Sequence, residues 1–309
     1  MGDVADGVVI GKAMPARVTG GTPDLRDLQM SATLSPVVSD ISKAALTERQ
    51  DAPVFCDVGE EQCAMDPRRP VRNKRYAMPA LGVVLSGWFD YRAESGMATA
   101  VPGAAVFGNA GEEFSCHHAD AFGNKRLVAI FNDKFLGEVA DGCGLGDSRF
   151  HAATLPPGRH ATALFGQMRR LAKAPAQEDA AYRLAATALR AGRAGPKSDR
   201  VLPAGRQRIL SVVRHIESSY QRRCSLDTLA DLAGLSRYRF LHLFKQVTGQ
   251  TPNQYVINTR LRAAAERLMA TNLPVYEVAF SVGFEDLSYF NACFRRQFGA
   301  PPRQWRTGA

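Results

Sequence analysis

The sequence predicts an α+β chain: an antiparallel β region followed by helices, then an all-α region holding two helix-turn-helix units. The C-terminal prediction rests on one pattern stated twice, about 50 residues apart. Ala230-x3-Gly234 is followed by Phe244-Lys245, Gly249, Pro252 and Tyr255, and Ala279-x3-Gly283 by Phe294-Arg295, Gly299, Pro302 and Trp305. Two such units side by side suit the placing of two helices in successive major grooves of DNA. Charge points the same way: Pro196 to Ala309 carries 17 Lys and Arg against 8 Asp and Glu, whereas residues 1–195 carry 22 of each sign. The formal excess of +9 therefore lies wholly in the repeat region, the footprint expected of phosphate binding. The β prediction rests on short apolar runs between Ala80 and Phe131, separated by Gly, Pro and Ser turns.

A length of 309 residues suggests two domains, each able to bury a core. The opening Met1-Gly2-Asp3-Val4-Ala5-Asp6 is acidic and no apolar run follows it, so neither a secretory leader nor a membrane span is expected. Six Cys at 56, 63, 116, 143, 224 and 293 lack zinc-finger spacing, and reduced thiols in a cytoplasmic protein are the expectation. Residues 1–50 show neither clean periodicity nor a motif.

The expected strands are Leu81–Leu85, Phe89–Arg92, Ala98–Val101, Ala104–Phe107, Glu113–His117 and Arg126–Phe131. Turns at Ser86-Gly87, Glu94-Ser95-Gly96, Pro102-Gly103 and Gly108-Asn109 separate them, which suits a small sandwich or jelly-roll barrel. Such a barrel offers a pocket for a small molecule, and Trp88, Tyr91, Phe107 and Phe114 are its candidate lining, with a core role as the alternative for most of them. Adjacent strand residues point to opposite faces, so His117 and His118 cannot both bind one ion from a regular strand. No catalytic triad or phosphate loop occurs either; no enzyme, no metal and no cofactor are expected. The open alternative is a metal or oxidant sensor using Cys116 with His118 and Cys56, Cys63 or Cys143.

Residues 158–192 return to helix, with Ala161, Leu164, Phe165, Met168 and Leu171, then Ala180, Leu184, Ala188 and Leu189, as apolar stripes. Either a dimer seam or packing on the barrel would use such stripes. Ala194 to Asp199 reads as a linker. Ile209, Val212, Val213 and Ile216 mark a helix over Arg206–Tyr220, and Ser225 caps a short one whose buried side is Leu226, Leu229, Ala230 and Leu232. After Gly234, Ser236 is expected to cap a helix from Arg237 to about Thr248 that buries Phe240, Leu243, Phe244 and Val247 and exposes Tyr238, Leu241, His242 and Lys245. Gly249 ends it, and Pro252 starts a helix to Ala270, about 28 Å long, near one turn of B-DNA. The second unit begins at Val275, and its helix over about Asp286 to Phe298 is expected to bury Tyr289, Phe290, Cys293 and Phe294.

On these residues the stretch Ser225 to Arg306 resembles the DNA-binding domain of the AraC/XylS family of bacterial transcription regulators. The resemblance rests on Leu229-Ala230, Gly234-Leu235-Ser236, Phe244-Lys245, Gly249 and Arg262–Leu268. It continues in Val278-Ala279, Val282-Gly283-Phe284, Tyr289-Phe290, Phe294-Arg295, Gly299, Pro302 and Arg306. It implies base contacts from Tyr238, Leu241 and His242 in the first unit and from Leu287, Ser288, Asn291 and Ala292 in the second. Arg237, Arg239, Lys245, Arg295 and Arg296 are expected to hold phosphates.

The run Leu81–Phe131 is similar to the cupin-like sensor domain common in the family, and the helices after it to the family's dimerisation helices. The implied division is a poorly defined segment 1–50, a cupin-like effector-sensing β-barrel 51–150, connecting helices 151–193, a linker 194–205 and the DNA-binding domain 206–309. The implied partners are double-stranded promoter DNA, RNA polymerase, a small-molecule effector and a second copy in a homodimer. Activation is the commoner behaviour in the family.

Overall fold

The computed structural model describes residues 55–63, 73–117, 123–173, 177–193 and 203–307. The segment 1–50, His118, and most of the expected linker lie outside them. Nine strands among the described residues form two antiparallel sheets. They are β1 (Cys56–Cys63), β2 (Lys74–Arg75), β3 (Ala80–Ser86), β4 (Phe89–Ala93), β5 (Gly96–Ala100), β6 (Ala105–Gly108), β7 (Glu113–His117), β8 (Asn124–Phe131) and β9 (Thr154–Leu155). The larger sheet runs β1-β8-β3-β6-β9 and the smaller β2-β7-β4-β5. The six expected strands are present within a residue or two of their expected ends. β1, β2, β9 and a helix α1 (Asp133–Gly142), capped by the Asn132 side chain, are additions.

Strand alternation divides the larger sheet between two cores. Ala80, Val84 and Val106 face the smaller sheet, where they meet Tyr76, Phe89, Tyr91, Phe114 and Cys116. Leu81, Val83, Phe107, Leu127, Ala129 and Phe131 face the other way, onto α1, α2 (Arg159–Lys173) and α3 (Glu178–Arg193). Ala161, Leu164, Phe165, Met168 and Leu171 of α2, with Leu184, Ala188 and Leu189 of α3, are all buried within the single chain. Of the two uses open to these stripes, intrachain packing is the one that covers these side chains.

The remaining helices are α4 (Pro203–Ser219), α5 (Leu226–Leu232), α6 (Arg237–Thr248), α7 (Pro252–Ala270), α8 (Val275–Ser281), α9 (Leu287–Phe298) and α10 (Pro302–Thr307). They dock on the β region at two places. Trp88, beside the β3–β4 turn, and Val101, after β5, enter the core formed by Ile209, Val213, Phe240, Phe244 and Tyr255. Nearby, Arg206 donates to Asp90 (3.2 Å) and to Thr99 (3.3 Å), and the Tyr255 hydroxyl donates to the Pro102 carbonyl (3.2 Å). At the second place α2 packs on α9 and α10. Arg169 donates to Glu60 of β1 (2.6 Å) and to Glu266 of α7 (2.7 Å), tying sheet to helix through one guanidinium.

The four candidate pocket aromatics are all buried, in three different cores, which is the core role weighed for most of them and not one shared lining. Trp88 belongs to the α4–α7 core, and Phe107 packs on Phe150 with centroids 5.0 Å apart beneath the helices. Only Tyr91 and Phe114 lie between the sheets, around Tyr76, whose hydroxyl is 2.9 Å from that of Tyr91. Alternation along β6 turns Phe107 to the face opposite Val106, and Trp88, in the turn before β4, docks on the helices. Three of the thiols lie in different places: Cys56 is in the helix-side core, Cys116 between the sheets, and Cys143 beside Tyr182.

Candidate nucleic-acid interface

The first helix pair begins where the Ser225 hydroxyl accepts the Thr228 amide (3.0 Å), satisfying one of the amides that a helix start leaves unpaired. α5 ends at Ala233, and Gly234 turns the chain at φ +60°, a conformation costly for residues with a Cβ. α6 then buries Phe240 and Phe244, whose rings meet edge to face at 5.4 Å, and Phe244 meets Tyr255 of α7 at 5.7 Å. With that face fixed, the opposite one is fixed as well. Tyr238 is 84% exposed, and Arg239, His242 and Lys245 are exposed beside it. Leu241 is only half-buried, at the edge of a cleft, rather than fully displayed. Leu232 is 48% exposed, which corrects the expectation that it is core: a seven-residue helix has room for one narrow apolar face, and Leu229 and Ala230 fill it.

α6 ends on Gly249 at φ +73°, and α7 starts with a capping box that sequence reading missed. Thr251 and Gln254 satisfy each other's backbone amides there, with Pro252 in the first turn. The repeat unit follows the same plan. α8 ends at Val282, and Gly283 turns at φ +94°. Asp286 caps α9 by accepting the Tyr289 amide (2.6 Å). Phe290, Phe294, Phe298 and Trp305 stack in succession beneath it.

Ser288, Asn291, Ala292, Arg295 and Arg296 are exposed on the outer face of α9, as expected. Two neighbours depart from expectation. Leu287 is half-buried against the core, and Tyr289, expected inside, is 50% exposed. The helical phase explains both: Phe290, Cys293 and Phe294 define the buried face, Tyr289 falls at its margin, and Leu287 is three residues before Phe290, on the inner side. Of the expected phosphate contacts, Arg237 is 3.5 Å from Asp227 in an exposed pair. Arg239, Lys245 and Arg295 have no acidic partner among the described residues. Exposed cations of this kind gain little from local pairing and are free to meet phosphate.

Residues 229–308 match the helix-turn-helix domain family. They are an AraC-type helix-turn-helix domain. The domain is similar to the transcriptional activator RhaS of Mannheimia succiniciproducens, at 34% identity over 96 residues, covering 31% of this chain and 35% of that one. It is also similar to the transcriptional regulator GbdR of Pseudomonas aeruginosa, at 31% identity over 108 residues, covering 35% and 29%. Among solved structures it resembles the DNA-binding domain of AdpA in complex with a target DNA. There the identity is 31%, the coverage 32% of this chain and 89% of that one, and the TM-score 0.31. The match spans about a third of the length of these curated relatives. No helix among the described residues is long and apolar enough to cross a membrane.

Proposed function

We propose that this chain is a sequence-specific, DNA-binding transcription regulator whose helices α6 and α9 enter successive major grooves. The observation that carries the reading is the paired geometry of the AraC-type domain. Each recognition helix buries its aromatic face and presents a polar, cationic one, and the two units are joined by a 19-residue helix about 28 Å long, a length near one turn of B-DNA. In this reading His242 and Asn291 read base edges with Tyr238, Leu241, Leu287, Ser288 and Ala292 around them, and Arg239, Lys245, Arg295 and Arg296 hold phosphates. The curated relatives named as transcriptional activators support activation, and RNA polymerase at a promoter is the partner this reading assigns to it. The β region serves as the sensor of a small molecule, which must bind one arrangement of the chain better than another to shift it. A homodimer would pair through surfaces other than the covered stripes of α2 and α3.

Capture of genomic fragments by the purified full chain, repeated at two salt concentrations, tests the reading. A recurrent site with two blocks about one helical turn apart is the expected result. Binding that is salt-sensitive and indifferent to sequence, with and without cell metabolites, would overturn it.

A further inference from the structure

The loop joining α4 to α5 lies at the seam between the two helix-turn-helix units and is held from both sides. Arg260 of α7 donates from Nε to the Tyr220 carbonyl (2.7 Å) and from Nη2 to the Arg222 carbonyl (2.9 Å). Gly283, in the turn of the second unit, lies so close that a Cβ there would be 2.5 Å from the Gln221 carbonyl oxygen. Two carbonyls of the loop thus accept hydrogen bonds and the one between them packs on Gly283, while the side chains of Arg222 and Arg223 are exposed. Neither has an acidic partner among the described residues. Arg223 lines a cleft of about 630 Å³ together with Leu241 of α6, Asn253 of α7 and Tyr289 of α9, so it stands between the two recognition helices. Of the two acids lining the cleft, Asp286 caps α9, and Glu285 precedes it at the same end.

Two helices entering successive major grooves from one side leave the intervening minor groove facing the seam between them. That groove is about 6 Å wide, too narrow for a helix but open to an arginine side chain. Runs of A·T pairs narrow it and deepen its negative potential, which draws arginine in. We propose that Arg223, supported by Arg222, enters this central minor groove and makes the base composition between the two blocks part of the recognised site. The inference rests on the two-groove reading above and adds a third point of recognition to it. A tethered ridge suits the role because the loop's position is already set before DNA arrives.

The test uses the full chain and duplexes in which both outer blocks are kept and only the central base pairs are changed from A·T runs to G·C. The natural chain is expected to bind the A·T centre at least about fivefold more tightly. Arg223→Ala is expected to reduce that preference to about twofold or less, while discrimination against altered outer blocks is retained. Arg222→Ala is expected to give a smaller reduction. A natural chain indifferent to the centre would overturn the proposal, as would Arg223→Ala weakening every duplex alike, the mark of a phosphate contact. Indifference to centre and outer blocks together would overturn the two-groove reading instead. Thermal melting of each variant, expected unchanged because both side chains are exposed, separates lost contact from lost fold.

Discussion

Gly166 of α2 lies against the indole of Trp305: a Cβ at this position would be 2.7 Å from Cη2 and 3.0 Å from Cζ3. The absence of a side chain at 166 is what lets the second helix-turn-helix unit seat on the helix that also backs the β-sheet. Gly166→Val is expected to destabilise the chain by about 1–3 kcal/mol through overpacking. Trp305→Ala, which empties the same contact, is expected to cost about 3–5 kcal/mol. Chemical denaturation of the two variants checks this; an unaltered midpoint for Gly166→Val would mean that α2 and α10 are not in contact in solution.

The exposed polar positions of the recognition helices yield a second prediction. Asn291→Ala and His242→Ala are each expected to cost about 1–3 kcal/mol on the recognised site and little on random DNA. Arg239→Ala and Lys245→Ala are expected to weaken both alike and to lower the salt dependence by about one counterion each. Competition binding at several salt concentrations distinguishes the two patterns. Equal losses from Asn291→Ala on both kinds of DNA would remove it from base reading.

Glu60 carries a pH dependence. Burial pushes its carboxyl upward, but hydrogen bonds and charge from Lys125 and Arg169 outweigh that and hold it below the ordinary glutamate value. A depressed folded-state value means that its contribution is present above the unfolded value, about 4.3, and is lost as pH falls through the lower folded value. Glu266, on the same Arg169, is raised by burial and contributes with the opposite sign. Melting curves of Glu60→Gln against the natural chain are therefore expected to show a stability gap at neutral pH that narrows below about pH 4. A gap constant with pH would show that the Glu60 charge is not coupled to folding.

Tyr255→Phe removes one hydroxyl that donates to the Pro102 carbonyl (3.2 Å) or to Glu217 (3.0 Å), leaving Glu217 its bonds from Thr259 (2.9 Å) and Arg262 (2.9 Å). The expected cost is about 1 kcal/mol, because most of the polar cluster stays satisfied. Arg262→Ala, by contrast, strips Glu217 of its counter-ion in a largely buried setting and is expected to cost about 3 kcal/mol or more. Urea midpoints of both variants check the order; a larger loss for Tyr255→Phe would contradict it.

The C-terminal helices were legible because most boundaries are written locally, although Ser236, expected as a cap, makes no side-chain bond at the start of α6. Gly234, Gly249, Gly283 and Gly299 all adopt positive φ, and Ser225 and Asp286 cap the helices that follow them. The strands from Ala80 to Phe131 were legible for the same reason, since Gly87 and Gly103 sit in turns between them and Gly96 opens β5 directly after one. β1 was not, because its Cys-Asp-Val-Gly-Glu-Glu-Gln-Cys reads as a polar loop. Its two glutamates are satisfied by residues distant in sequence: Glu60 by Arg169 and Glu61 by the buried Arg126 at 2.9 Å. Tyr289 and Leu287 were misplaced by a fraction of a helical turn, and adjacency to Phe290 gave no sign of which side each would take. Trp88 lies with α4 rather than between the sheets because of tertiary docking, for which no local pattern exists.

The two places where the helical domain seats on the β region have a consequence for control. Trp88 and Val101 hold the first unit, α2 holds the second, and Tyr238, His242, Asn291 and Arg295 nevertheless stay open to solvent. Among the described residues nothing covers these side chains, so a signal acting through the proposed sensor would have nothing there to unmask. What it can alter is phase, the angular offset between the two recognition helices around the DNA axis. Regulation of this chain would then appear as a changed tolerance for inserted base pairs between the two blocks, rather than as a surface covered and uncovered.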